Sequence, residues 1–234
     1  MWSGPRTISS YLLRAFENRA DAQVLDEPFF AYFLAHTCIE HPGRAAILKD
    51  AVTDAIAVEN ILLAPLEPGK TIFYQNHMSQ HQLIGMDQSW LQNMEHAFLI
   101  EDPVRVLARL GPSAEPISIS DLGLPQQLSM FDNVADRHGK TPPVIDAADI
   151  RKNPAAMLEK LCTSLGIAFD AAMLAWPAGS RDTDGAGAPW SDSRIQTSTG
   201  FEKPLGRAPV LDDSLQEVAD LAMTYYDRLS RYRL

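Results

Sequence analysis

Arg6 heads a run of hydroxyl residues, Thr7, Ser9 and Ser10, directly after a Gly4-Pro5 turn. Leu12, Leu13 and Phe16 follow at the spacing of one helix face. This order sets a guanidinium, three hydroxyls and free backbone N–H groups at the start of a helix. The dipole is positive there and the N–H groups lack intrahelical acceptors, so the segment reads as a cradle for an oxyanion. The same residues also make an ordinary capped turn. The phosphate-loop pattern G-x-x-x-x-G-K-[ST] is absent: Gly4 has no second glycine after it, and Arg6 stands where a lysine is sought. The segment is therefore not a standard ATP or GTP site.

Such a cradle needs elements to hold it, and strand and helix patterns alternate along the chain. Strands are expected at residues 23–26, 70–75, 97–100 and 143–146. The second is bounded by Pro68-Gly69, and the third is a continuous apolar run of the kind found in buried parallel strands. Helices are expected at residues 29–37, 44–63, 104–110, 120–138, 155–165 and 212–229. Asp102-Pro103 and Asn153-Pro154 supply N-caps with a first-turn proline, and Gly139 and Gly166 supply stops. Residues 180–206 are poor in apolar side chains and read as a long loop, often a functional lid. The alternation predicts a three-layer α/β fold with a mostly parallel sheet and helices on both faces. Ligands in such sheets bind beyond the carboxyl ends of the strands. The residues expected there are 3–10, Asp26-Glu27, Gln75-Asn76-His77, Glu101-Asp102 and Asp146.

The chain has 234 residues and a formal net charge of −10, which suits one domain over 1–234 and disfavours non-specific nucleic-acid binding. Cys38 and Cys162 form no disulfide framework, so a reducing compartment is expected. No apolar run is long enough to span a bilayer and no secretory leader is visible, so a cytoplasmic protein is expected. Only Met1 and Trp2 precede the loop, so the first strand should be short. His36 and His41 are five apart and His77 and His81 four apart, with no third metal ligand evident. Trp2, Trp90, Trp176 and Trp190 are expected in the core, with stacking on a purine as the alternative.

Four segments, in order, resemble the sulfotransferases, which use 3′-phosphoadenosine 5′-phosphosulfate (PAPS). Residues 3–10, Ser-Gly-Pro-Arg-Thr-Ile-Ser-Ser, resemble the family's 5′-phosphosulfate loop. Leu25-Asp26-Glu27-Pro28-Phe29-Phe30 resembles the acidic strand end of its bacterial and carbohydrate-modifying branches. Residues 99–109 resemble the 3′-phosphate segment, a strand followed by Arg-Asp-Pro and a helix. Residues 144–167, with Asp149, Asn153-Pro154 and Leu165-Gly166, resemble the late segment. The chain departs from the family at two points: Glu101 replaces the arginine, and Arg109 the serine, of the 3′-phosphate grip.

The resemblance implies a P-loop-like fold, PAPS as co-substrate, no metal, and a small-molecule acceptor; the oligomeric state stays open. It implies a 5′-phosphosulfate site at Gly4, Pro5, Arg6, Thr7, Ile8, Ser9 and Ser10, with Arg6 stabilising charge. It implies a 3′-phosphate site in which Arg105 or Arg109 supplies the cation, unless Glu101 pairs with Arg109, and to which Lys203 contributes. The base is left open between Glu27 and His77. His77 resembles the histidine of the cytosolic branch, although Gln75 stands where that branch has a lysine; its alternative is a turn histidine bonded to backbone. Glu27 resembles the base of carbohydrate-modifying members; its alternative is a helix-capping carboxylate. Two other classes remain: a non-catalytic or diverged nucleotide-binding relative, which Glu101 favours, and a phosphoryl-transfer P-loop enzyme, which lacks its loop lysine here.

Overall fold

A computed structural model describes residues 1–111, 116–190 and 194–234. Five strands form one parallel sheet: β1 (Trp2–Ser3), β2 (Ala22–Asp26), β3 (Ile72–Met78), β4 (Phe98–Ile100) and β5 (Val144–Asp146). Their spatial order is β2-β3-β1-β4-β5. β1 is short, yet it is central: Trp2 lies between His77 of β3 and Phe98 of β4. The chain leaves β1 toward the β2 edge and later crosses to β4 and β5. This reversal beside β1 is where an open α/β sheet leaves a crevice.

The helices are α1 (Ser9–Glu17), α2 (Phe30–His36), α3 (Arg44–Asp50), α4 (Ala55–Leu62), α5 (Pro103–Leu110), α6 (Leu124–His138), α7 (Ala147–Lys152), α8 (Pro154–Ser164), α9 (Arg194–Thr197) and α10 (Asp213–Ser230). Strand residues alternate between two apolar layers, as a period of two requires. Trp2, Phe98, Ile100 and Val144 pack with Leu62, Leu107, Phe131 and Ala222 on one side. Tyr74, Leu99 and Ile145 pack with Leu12, Phe16, Ile150 and Leu158 on the other. This is the α/β sheet with helices on both faces that the alternation predicts. Among the described residues, no helix is long and apolar enough to cross a membrane.

Caps set the element ends. Asp102 accepts from Val104 N at 2.9 Å and Asn153 from Ala156 N at 3.3 Å, each ahead of a first-turn proline. Elsewhere the expected elements are corrected. The helix expected at 44–63 is two helices: β-branched Val52 and Thr53 interrupt it, and Asp54 caps α4 by accepting from Ala57 N at 2.8 Å. The helix expected at 120–138 is broken at Gly123, whose φ of 69° separates a 3-10 turn, Ile119–Leu122, from α6. α7 was not expected; Asp146 caps it, accepting from Ala148 N at 2.7 Å.

The stretch 180–206 is mostly irregular, as expected, and its residues 191–193 lie outside those described. Its first part is tied down by charge. Arg14, buried in α1, pairs with Glu17 at 3.1 Å and with Asp184 of the loop at 2.5 Å. Arg181 reaches Glu17 at 3.6 Å, and Gly185 N donates to Asp26 at 3.4 Å. The loop thus forms a strap over α1 and the end of β2.

Gly4 is required by a close approach. A Cβ there would stand 2.6 Å from the carbonyl oxygen of Leu122, which belongs to rigid backbone. Gly4→Ala is expected to destabilise the fold by about 1–3 kcal/mol, the usual cost of overpacking. Chemical denaturation of the two proteins measures it; an unchanged midpoint would show that the 3-10 turn gives way freely.

Candidate functional site

Beyond the carboxyl ends of β1, β2 and β3 lies a cavity of about 620 Å³. Residues 5–10 form one wall, and Asp26 and Glu27 stand beside it. Arg109 and Arg151 close the side toward β4 and β5. Phe30, Phe33, Ile39, Leu83 and Trp190 make an apolar far wall.

The loop before α1 is open to an anion. The N-cap position, Ile8, has no side chain that can cap, and Thr7 Oγ1 turns back to donate to Gly4 O at 3.1 Å. Tyr11 N donates to Ile8 O at 3.0 Å, but no acceptor among the described residues engages the N–H groups of Ile8, Ser9 or Ser10. Arg6 is exposed at the mouth. Its carbonyl is held by the guanidinium of Arg109, which braces the loop from outside.

Arg6 (φ 56°) and Glu27 (φ 44°) are, among the described residues, the non-glycine positions with positive φ. Both line the cavity. Such backbone is strained and persists only where its surroundings over-determine it. For Glu27 the surroundings are visible: its N–H donates to Asn76 O at 2.9 Å, and its carbonyl accepts from Phe30 N at 3.0 Å. The Glu27 carboxyl is pushed up to about 8, chiefly by burial and then by neighbouring Asp26, with Arg6 opposing. Burial also raises Asp26, against the donation of Asn76 Nδ2 at 2.7 Å. A carboxyl that titrates near neutrality suits proton transfer.

Glu101, 3% exposed at the end of β4, does not face the cavity as a bare carboxylate. Arg109 binds it at 2.8 and 3.3 Å and Arg151 at 2.6 and 3.1 Å, both in fork geometry. Arg151 also reaches Glu202 at 3.2 Å; Glu202 in turn meets Arg194 at 3.3 Å and accepts from Tyr11 OH at 3.2 Å.

Four of the expected site residues lie elsewhere. His77 does not line the cavity. It sits inside β3, stacked on Trp2 at 4.6 Å, with Nε2 on Gln75 Oε1 at 3.2 Å. It borders a groove at the other end of the sheet, with Met1 and His96. Its alternation along β3 turns it from the cavity, and burial holds its pKa well below the usual histidine range. Arg105 turns outward, donating to Gly206 O at 2.5 Å and lying 3.7 Å from Asp102. Lys203 is exposed and off the cavity; its neighbour Glu202 lines it instead. Gly4 supports the loop from behind, bordering a small separate void. Trp2, Trp90 and Trp176 are core, whereas Trp190 lines the cavity, packed on Gly43 and edge-on to His41 at 5.6 Å.

Two cavity residues escaped sequence reasoning. His81 is buried against Phe30 and Phe33, at ring distances of 5.1 and 4.8 Å, and its Nδ1 has no hydrogen-bond partner among the described residues. Burial pushes it down to about 3, so it is a neutral imidazole. Its signal was the i, i+4 spacing from His77, considered only for metal. Arg151 shares the buried face of α7 with Ala147 and Ile150; a lone arginine in that apolar stripe was its signal.

Glu27→Gln isolates the cost of this half-buried carboxyl. The folded-state value of about 8 lies above the ordinary 4.5, so this group contributes stability below pH 4.5 that is lost as pH rises toward 8. The glutamine variant is therefore expected to melt higher than the parent at pH 8, with the gain vanishing near pH 4. Thermal melts across that range check it; a lower melting temperature at pH 8 would contradict the raised value.

The comparisons with known proteins bear on the family and the fold. The curated relatives it matches include branched-chain-amino-acid aminotransferase-like proteins 2 and 1 of Arabidopsis thaliana, 35% and 34% identical over 207 residues. Each alignment covers 87% of this chain and 36% of the relative, so the chain spans about a third of those longer proteins, whose name is their own. Among solved structures, a sulfotransferase domain from the curacin biosynthetic pathway superposes with a TM-score of 0.53, at 14% identity and 95% coverage of both chains, a likeness of fold. The family model described as "Sulfotransferase domain" matches residues 1–232. With nearly its whole length matched, the chain belongs to the sulfotransferase-domain family.

Proposed function

We propose that this sulfotransferase-like protein transfers a sulfuryl group from a phosphosulfate donor, the family's PAPS, to the hydroxyl or amine of a small acceptor. One observation carries the reading: a single cavity joins an open anion cradle at residues 6–10 to Glu27, a carboxyl titrating near neutrality. The cradle suits the phosphosulfate end, since it offers free N–H groups, the Ser9 and Ser10 hydroxyls and the Arg6 guanidinium. The acceptor lies against the apolar wall of Phe30, Phe33 and Trp190. As its oxygen bonds to sulfur, its proton passes to Glu27. The bond from sulfur to the bridging oxygen breaks, and the phosphate leaves with the electron pair. Arg6 meets the charge that grows there. His81 is neutral and accepts or donates one hydrogen bond to the acceptor. The full pairing of Glu101 favours a second reading, a diverged nucleotide binder without transfer.

Labelled sulfate transfer from PAPS to a panel of small alcohols and amines tests the activity. Transfer is expected, with a rate that rises toward pH 8 as Glu27 ionises. Glu27→Gln should lower the rate by about 10²–10⁴-fold, the usual loss of a general base. Arg6→Ala should weaken binding of the desulfated product, PAP, by about 1.5–3 kcal/mol. Binding of PAP with no transfer to any acceptor would favour the second reading; neither binding nor transfer would remove both.

A further inference from the structure

We infer that the donor needs no second phosphate: the arginine side of the cavity is already neutralised from within the chain, and a donor whose only anionic part is its phosphosulfate end fits as well as PAPS. This rests on the proposed function and deepens it.

The inference follows from where the cations stand and what they already hold. The lysine and arginine side chains lining the cavity, among the described residues, are Arg6, Arg109, Arg151 and Arg194. Arg6 belongs to the cradle and serves the first anionic group. A second phosphate on the same molecule would have to be met by the other three. Two carboxylates hold those three. Glu101 takes both forks of Arg109 and Arg151, at 2.6–3.3 Å. Glu202 takes Arg151 from the other side at 3.2 Å and reaches Arg194 at 3.3 Å. Arg194 is the outermost of the three, its side chain 58% exposed and well screened by water.

Glu101 cannot simply step aside. Glu101 is 1% exposed at its side chain and Arg151 2%, so neither has water to turn to. A phosphate entering this cluster would meet the buried carboxylate of Glu101 at close range in a poorly screened place, with the partly exposed Glu202 beside it. Free arginines would behave differently. Two charge-assisted bonds to a phosphate would favour a bisphosphate ligand over a monophosphate by roughly 10²–10⁴-fold. Glu101 and Glu202 are thus specificity-determining residues, acting by occupying the guanidinium groups that a second phosphate would use.

Titration calorimetry at constant ionic strength, with adenosine 5′-monophosphate and with PAP, tests this directly. The two differ only in the 3′-phosphate. The parent protein is expected to bind both, with affinities within about tenfold of each other. Glu202→Gln, on an irregular segment, frees one face of Arg151 and should shift the ratio toward PAP by about tenfold, the scale of one such bond. Glu101→Gln should shift it further where thermal melts show it folded; Glu202→Gln serves alone where they do not. A parent preference for PAP of tenfold or more would overturn the inference while leaving the proposed function intact. So would a ratio that Glu202→Gln leaves unmoved. Absence of binding by either ligand would overturn the proposed function, and this inference with it.

Discussion

A carboxylate buried at the end of a central strand must be answered where it stands. Glu101 is answered twice, by Arg109 from the last turn of α5 and by Arg151 from the end of α7. Leaving such a charge unmatched costs about 3–5 kcal/mol, a large part of a domain's stability. The pairs therefore fix how the two helices leave β4 and β5. Arg109 carries the constraint further, because the same guanidinium holds the carbonyl of Arg6. The loop before α1 takes its strained turn with that brace in place. Sheet edge, helix exits and anion cradle are parts of one electrostatic arrangement around one residue.

The two glutamates of this end of the sheet are treated in opposite ways. Glu101 receives every partner that geometry allows. Among the described residues, the Glu27 carboxyl receives none at hydrogen-bond distance; the field of Arg6 is set against burial and Asp26. The paired carboxylate is held between two guanidinium groups, and the other is left able to exchange a proton near neutral pH. That Glu27 and Arg6 also carry the positive φ angles places backbone strain and electrostatic tension at the same spot.

Much of this was legible in the residues. Apolar runs such as Ala97-Phe98-Leu99-Ile100 and the Asp102-Pro103 and Asn153-Pro154 caps are local signals, and local physics decides them. The start of α1 was legible for the same reason, since a hydroxyl run before a helix is a short-range pattern. Helix breaks at Asp54 and Gly123 were missed because apolar periodicity continued across them. The site failed where one residue of alternation matters. His77 and Met78 neighbour each other on β3, yet Met78 lines the cavity and His77 the opposite groove. Lys203 and Glu202 differ by the same single step. The answer to Glu101 lay half in Arg109, eight residues on, and half in Arg151, fifty residues away. A pairing that distant leaves no trace in spacing.

The strap held by Arg14 bears on how a ligand would arrive. Its anchors, Asp184 on buried Arg14 and Gly185 on Asp26, are made within the free chain. Segments that order only on binding subtract the entropy of ordering from affinity. Here that entropy is surrendered during folding, and Trp190, a few residues along, is already seated on Gly43. The described part of this rim, up to Trp190, is thus tied to the fold by contacts that need no ligand, and a molecule recognised at this wall meets a shape that folding itself supplies.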